Sequence, residues 1–227
     1  MKNIILSAAL VLMSLAGIGQ DNYTIKMNMK IEGLPAEYAA YGEQETVTYI
    51  KGEKNKLEVT SMMGSHTTSF DGKMYTVLID QMGNKMGYTA TKEEMDASNN
   101  KSEAKPKIEY TSEKKTIAGF ECTKAIVTSV DKDKKEDQVT VWVTDKIKSD
   151  AKKRGRGVVN LGDLKGYPLE MQMKKMEQGA EMKITIAATE ISTEPVPDAT
   201  FVLSTEGYQM SSYKEAMEKA KAMGGGR

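Results

Sequence analysis

From Tyr23 to Glu32 the chain alternates without a fault. Tyr23, Ile25, Met27, Met29 and Ile31 fall on one side, and Thr24, Lys26, Asn28, Lys30 and Glu32 on the other. A period of two marks a half-buried strand with one wet face. Gly33-Leu34-Pro35 ends it. Gln44 to Lys51 and Lys56 to Met63 are predicted as the next strands, joined by the turn-forming Gly52-Glu53-Lys54-Asn55. Asp71-Gly72 between His66–Phe70 and Lys73–Met82 predicts a hairpin, and Gly83-Asn84 a further turn before Lys85–Thr91. Lys92 to Ser98 reads as a short helix and Asn99 to Lys107 as a polar loop. Lys107–Lys115 and Phe120–Val130 are strands around the Ala118-Gly119 bend, and Asp131–Asp137 is a charged turn. Gln138–Thr144 puts Val139, Val141 and Val143 on one face and Trp142 on the other. Asp145 to Gly157 is basic, with room for a helical turn. Tyr167–Met176 and Met182–Ile191 pair around Gln178-Gly179, and Pro195–Ser204 reads as an irregular or edge strand.

Ser212 opens the best-marked helix. Ser212 with Glu215 forms a capping box, Tyr213, Ala216, Met217, Ala220 and Met223 form its apolar stripe, and Gly224 stops it. The expected fold is therefore mainly β, within the α+β class. It is a curved antiparallel sheet or half-barrel of about ten strands, with short helices and a C-terminal helix over 212–223. The apolar face of such a sheet has to be covered by helices, by the curl of the sheet, or by a ligand.

The first residues do not belong to this pattern. Met1-Lys2-Asn3 is a basic start, Ile4 to Leu15 is apolar, and Ala16-Gly17-Ile18-Gly19-Gln20 supplies small residues for cleavage. This reads as a signal peptide over 1–19, with residues 20–227 forming one domain. The apolar run is shorter than the ~20 residues a membrane helix needs, and nothing else in the mature chain approaches that length. The expected location is therefore the periplasm or the secreted medium.

Charge and composition then remove several function classes. The 32 basic and 32 acidic side chains balance, and losing Lys2 with the leader leaves the mature chain at −1. Nucleic-acid binders carry a basic excess, so no nucleic-acid partner is expected. One Cys excludes an internal disulfide or a Cys-based zinc site, and one His leaves little for His chemistry. Nucleophile, base and metal motifs are missing, so neither an enzyme nor a cofactor is expected. Cys122, on an alternating strand, reads as a buried structural thiol, and His66, among Thr67, Thr68 and Ser69, as a solvated imidazole.

Five segments, in order, carry a resemblance. They are Met74-Tyr75-Thr76-Val77-Leu78-Ile79-Asp80, Ile117-Ala118-Gly119-Phe120-Glu121-Cys122-Thr123-Lys124-Ala125, Val141-Trp142-Val143-Thr144, Gly166-Tyr167-Pro168-Leu169-Glu170-Met171 and Pro197-Asp198-Ala199-Thr200-Phe201. Over roughly residues 23–210 the chain resembles an exported Gram-negative family known as domain of unknown function 4412. That family is similar in architecture to the periplasmic lipoprotein carriers (LolA-like), which curl an antiparallel sheet around helices and hold acyl chains in the concavity. The resemblance implies a carrier-like fold and brings no catalytic motif. The chain departs from the carriers in having few Arg and many Met.

Methionine is the unusual chemistry that remains: 17 in the chain, clustered as Met27-x-Met29, Met62-Met63, Met82 with Met86, and Met171-x-Met173-x-x-Met176. Thioethers are adaptable fillers of apolar interiors and also soft ligands for Cu(I). The expected function is an exported binding or carrier domain for an apolar ligand such as a lipid acyl chain. Its candidate lining is Ile25, Met27, Met29, Leu57, Val59, Val141, Val143, Met171, Met173, Ile184 and Ile186, the same residues that would make a plain core. The alternatives are an envelope interaction protein with no small ligand, and a Cu(I) binder using Met27, Met29, Met171, Met173 and Met176. The basic run Lys146, Lys148, Lys152, Lys153, Arg154 and Arg156 reads as a solvated loop, or as a patch for lipid headgroups or an acidic partner.

Overall fold

The computed structural model describes residues 22–35, 42–99, 105–130, 136–148, 161–177 and 180–222. The leader, most of the basic run after Lys148, and the Gly224 helix stop lie outside them. The elements are β1 (Asn22–Glu32), β2 (Glu43–Lys51), β3 (Lys54–Ser61), β4 (Gly64–Phe70), β5 (Met74–Gln81), β6 (Asn84–Thr91), α1 (Lys92–Asn99), β7 (Lys107–Ile117), β8 (Phe120–Val130), β9 (Glu136–Thr144), β10 (Tyr167–Glu177), β11 (Ala180–Ser192), β12 (Gln209–Ser212) and α2 (Tyr213–Ala222). All twelve strands form one open, curved sheet in the order β12-β6-β5-β4-β3-β2-β1-β11-β10-β9-β8-β7. Two antiparallel meanders, β1–β6 and β7–β11, are therefore joined through the central β1–β11 pair.

Twelve strands replace the expected ten or so, and one of them departs from the antiparallel rule. Pro195–Ser204 is not a strand. It holds a single 3-10 turn over Asp198–Phe201, while β12 forms later and runs parallel to β6. The reason is tertiary. Residues 193–208 act as a strap across the sheet, tied to it through side chains rather than by strand pairing. Val196 N donates to Asn22 Oδ1 at 3.4 Å, and Ser69 Oγ donates to the Phe201 carbonyl at 2.7 Å. Asp198 accepts from Lys51 and Lys54 at 3.0 and 2.9 Å. The strap then delivers β12 to the edge of β6. There Met210 and Leu78 fill the room left by Gly87, where a Cβ would meet Met210 Sδ at 2.6 Å.

The helix ends obey local rules. In α2 the capping box forms as expected, with Glu215 N donating to Ser212 Oγ at 3.3 Å and Ser212 N to Glu215 Oε2 at 2.9 Å. Helix α1 has an equivalent box from Thr91 and Glu94, at 2.8 and 3.2 Å. Tyr88 of β6 packs with Met95 of α1 and Tyr213 of α2 beside Phe70, Tyr75 and Ala90.

The lysines hold the Asp198 carboxyl below its ordinary value of 3.8, chiefly through the hydrogen bonds from Lys54 and Lys51. A carboxylate with a depressed folded-state pKa stabilises fully above its unfolded pKa, and the contribution is lost as pH falls through the folded value. Amide-exchange protection across residues 196–202 is therefore expected to hold at neutral pH and to drop below pH of about 4, ahead of the central strands. Exchange followed by mass spectrometry checks this. Asp198→Asn should remove the pH step.

Candidate functional site

Strand register sorts the side chains into two faces. Tyr23, Ile25, Met27 and Met29 of β1 stand opposite Ile50, Thr48, Thr46 and Gln44 of β2, and these opposite Asn55, Leu57, Val59 and Ser61 of β3. The same face continues through Phe70, Thr68 and His66 of β4, Tyr75, Val77 and Ile79 of β5, and Ala90, Tyr88 and Met86 of β6. No Lys, Asp or Glu lies on this inner face of β1–β6. Every charged side chain of those strands, from Lys26 and Lys30 to Asp80 and Lys85, is on the outer face. Ion pairs such as Lys26–Glu190 at 2.7 Å and Lys56–Glu58 at 2.7 Å form there. The outer face also carries the strap.

All eleven candidate lining residues fall on the inner face. Met29, Ile186, Met171 and Val141 form one row across β1, β11, β10 and β9. Ile184, Met173 and Val139 form the next. Their burial divides them. Ile25 and Val141 are 0% exposed, and Val143, Met173, Met27 and Ile184 are below 9%. Ile147, Leu161 and Leu164, from the connection between β9 and β10, pack into the same clusters. This half of the inner face is filled core. Met29, Met171, Ile186 and Val59 are half-buried, and Leu57 is 37% exposed.

The open part of the inner face lies over β2–β6. Its floor is Thr46, Thr48, Leu57, Val59, His66, Thr68, Ile79 and Met86, all half-buried or exposed. Filled core on β1 bounds one side, and α1 and α2 bound the other through Tyr88. His66 has Val59 and Ile79 as lateral neighbours, and its Nε2 lies 3.2 Å from Thr68 Oγ1. The imidazole reaches water, yet the curl of the sheet surrounds it with protein and pushes its pKa below the usual 6.5, so it is neutral at pH 7. Only Leu57 and Val59 of this floor are among the candidate lining expected from the sequence. The others alternate just as regularly, but Thr and His in a strand look like a wet face until the register assigns them. Two grooves, of about 490 and 300 Å³, lie elsewhere. They are lined mainly by charged and amide side chains such as Gln172, Lys174, Lys183, Lys30 and Glu43, and touch the candidate lining only at Met173 and Met29.

No protein-family model and no curated protein matches this sequence. The likeness to domain of unknown function 4412 therefore rests on the quoted segments. Solved structures similar to this chain include PNGF-II, at 16% identity over 88% of this chain with a TM-score of 0.47. The chain spans 34% of the length of PNGF-II. It is also similar to the lipoprotein LppX of Mycobacterium tuberculosis (11% identity, 77% of this chain, 88% of that one, TM-score 0.38). A third is a LolA superfamily protein from Nitrosomonas europaea (11% identity, 81% of this chain, 91% of that one, TM-score 0.36). These likenesses are distant, and the site rests on the register of this chain.

Cys122 is 0% exposed, and burial pushes its thiol pKa up, which keeps it protonated and unreactive. Beside it on the outer face, Lys115 pairs with Glu170 at 2.7 Å and sits 4.4 Å over the Trp142 ring. The five methionines of the copper alternative do not gather at one point. Met27 is buried at 7%, Met29 and Met171 flank Ile186 on separate strands, and Met176 is 63% exposed at the strand end. Among the described residues, no three His, Cys, Asp or Glu are grouped to hold a metal. No helix of the described chain is long and apolar enough to cross a membrane. Of the basic run, Lys146 and Lys148 are exposed, and the buried Ile147 between them anchors the connection.

Proposed function

We propose that this is an exported binding or carrier domain that holds an apolar ligand, such as a lipid acyl chain, against the open inner face of β2–β6. One observation carries the reading: a half-exposed trough whose floor has no charged side chain, in a chain where Lys, Arg, Asp and Glu make up 28% of residues. Random placement would scatter charge onto such a face. Keeping it off costs solubility and favours contact with something uncharged and apolar. The hydroxyls of Thr46, Thr48 and Thr68 beside neutral His66 suit an uncharged polar end next to the chain. Delivery to the periplasm by the leader over 1–19 completes the reading.

Uptake of a fluorescent fatty acid by the mature protein tests it. Leu57→Glu puts a charge on the floor at a position already exposed, so the thermal midpoint should stay within a few degrees while affinity falls at least tenfold. Purified protein that is ligand-free by native mass spectrometry and takes up no fatty acid would sink the reading. So would Leu57→Glu binding as well as the parent.

The filled core over β1 and β9–β11 favours a second reading, an envelope interaction protein with no small ligand. It is distinguished by cross-linked partners in cells together with that same absence of uptake.

A further inference from the structure

Three exposed methionines lie in two turns at one end of the sheet. Met62 and Met63 form the β3–β4 turn and Met82 the β5–β6 turn, with exposures of 69%, 47% and 85%. Turns at the opposite end carry Gly52-Glu53 and Asp71-Gly72-Lys73, as turn chemistry favours. Burial explains the core methionines, and it explains none of these three.

The two turns touch. Met82 N donates to the Met63 carbonyl at 3.3 Å. Each turn is also braced from within. Met63 N donates to Ser61 Oγ at 3.2 Å, and Gly83 N donates to Asp80 Oδ1 at 2.9 Å. Met82 holds a left-handed φ of 53°, where Gly or Asn is the unstrained choice. A thioether is thus kept where neither turn geometry nor burial asks for one. Three flexible arms, each with three rotatable bonds, start from two braced turns whose backbones are in contact, so their sulfurs have the reach to converge.

We propose that Met62, Met63 and Met82 form a surface site for a soft monovalent cation, Cu(I) or its analogue Ag(I). Thioether sulfur selects such ions over Ca²⁺, Mg²⁺ or Zn²⁺, which prefer oxygen, imidazole or thiolate. The side chains are Met at all three positions rather than Leu, Phe or Trp, and this separates metal capture from simple adhesion to a lipid surface. The site is distinct from the trough and does not depend on its function.

The test titrates the full mature chain with Ag(I), and with Cu(I) under reducing, buffered conditions, while following the methionine methyl signals by NMR. The expected result is one equivalent bound, with the signals of Met62, Met63 and Met82 shifting together. The Met62→Leu/Met63→Leu/Met82→Leu variant should lose this binding, and the core variant Met171→Leu/Met173→Leu should keep it. Metal should also protect the three turn methionines of the parent from peroxide oxidation, a readout that needs no variant. The proposal is overturned if the parent binds neither ion, if the core variant loses binding instead, or if bound copper shows an oxygen or nitrogen shell by X-ray absorption. Equal binding of phosphatidylcholine vesicles by parent and triple-Leu protein, without metal uptake, would overturn it in favour of a membrane-contacting rim.

Discussion

Phe201→Ala is expected to destabilise the protein by about 3–5 kcal/mol and to turn it into an aggregating one. Phe201 is 2% exposed although it lies on the strap, outside any strand. Its ring is the largest fully buried side chain among the described residues, and its carbonyl takes the hydrogen bond of Ser69, itself 1% exposed. Truncation leaves a cavity beneath the strap and loosens the chain beyond it. That chain includes β12, four residues that cover the edge of β6. With β12 detached, the ladder groups of β6 are open to another chain. A chemical-denaturation curve checks the first half of this expectation, and light scattering at rising concentration the second. A loss under 1 kcal/mol with monomer retained would mean that the strap is passive.

Ile25→Ala should cost about 2–5 kcal/mol, by a different route. Ile25 is 0% exposed on β1, the strand through which the two meanders meet. It stands opposite Ile191 of β11 and Thr48 of β2, and belongs to the cluster with Tyr23, Met27, Ile147 and Leu169. A void here lies between the halves of the sheet rather than at an edge, so the neighbours cannot collapse onto it without moving both ladders. Ile25→Val, which removes one methylene, should cost only about 0.5–1.5 kcal/mol. Thermal unfolding of the pair should remain one transition. Two separated transitions in Ile25→Ala would show that the meanders unfold independently.

The strap shows where the sequence is silent. Pro195–Ser204 reads as an irregular or edge strand and instead holds a 3-10 turn. Its partners are Asn22, Lys51, Lys54 and Ser69, up to 174 residues away, and no local pattern records them. The methionines show the same thing within a single residue type. Met27 and Met173 are core and Met62 and Met82 are rim, at 7% and 4% against 69% and 85% exposed. Alternation puts Met27 and Met173 on an inward face, while Met62 and Met82 stand at the ends of predicted strands. The turns begin one or two residues earlier than the alternation suggests, and that small shift carries Met62, Met63 and Met82 out of the strands.

Sequence alone determined the positions of eleven strands, the short helix after β6 and the capped C-terminal helix. Side-chain alternation, turn residues and capping pairs act within a few residues and are written locally. It also marked the inward set from Ile25 to Ile186, because an apolar face is a property of one strand. Tertiary structure decided the rest: which strand lies beside which, that β12 is parallel, that the inner face is filled on one half and open on the other, and that Thr46, Thr48, His66 and Thr68 belong to the open floor. The physical reason is that a strand's face is set by its own backbone. Whether that face is covered depends on distant segments, and here these are the β9–β10 connection over the inner face and the C-terminal strap over the outer.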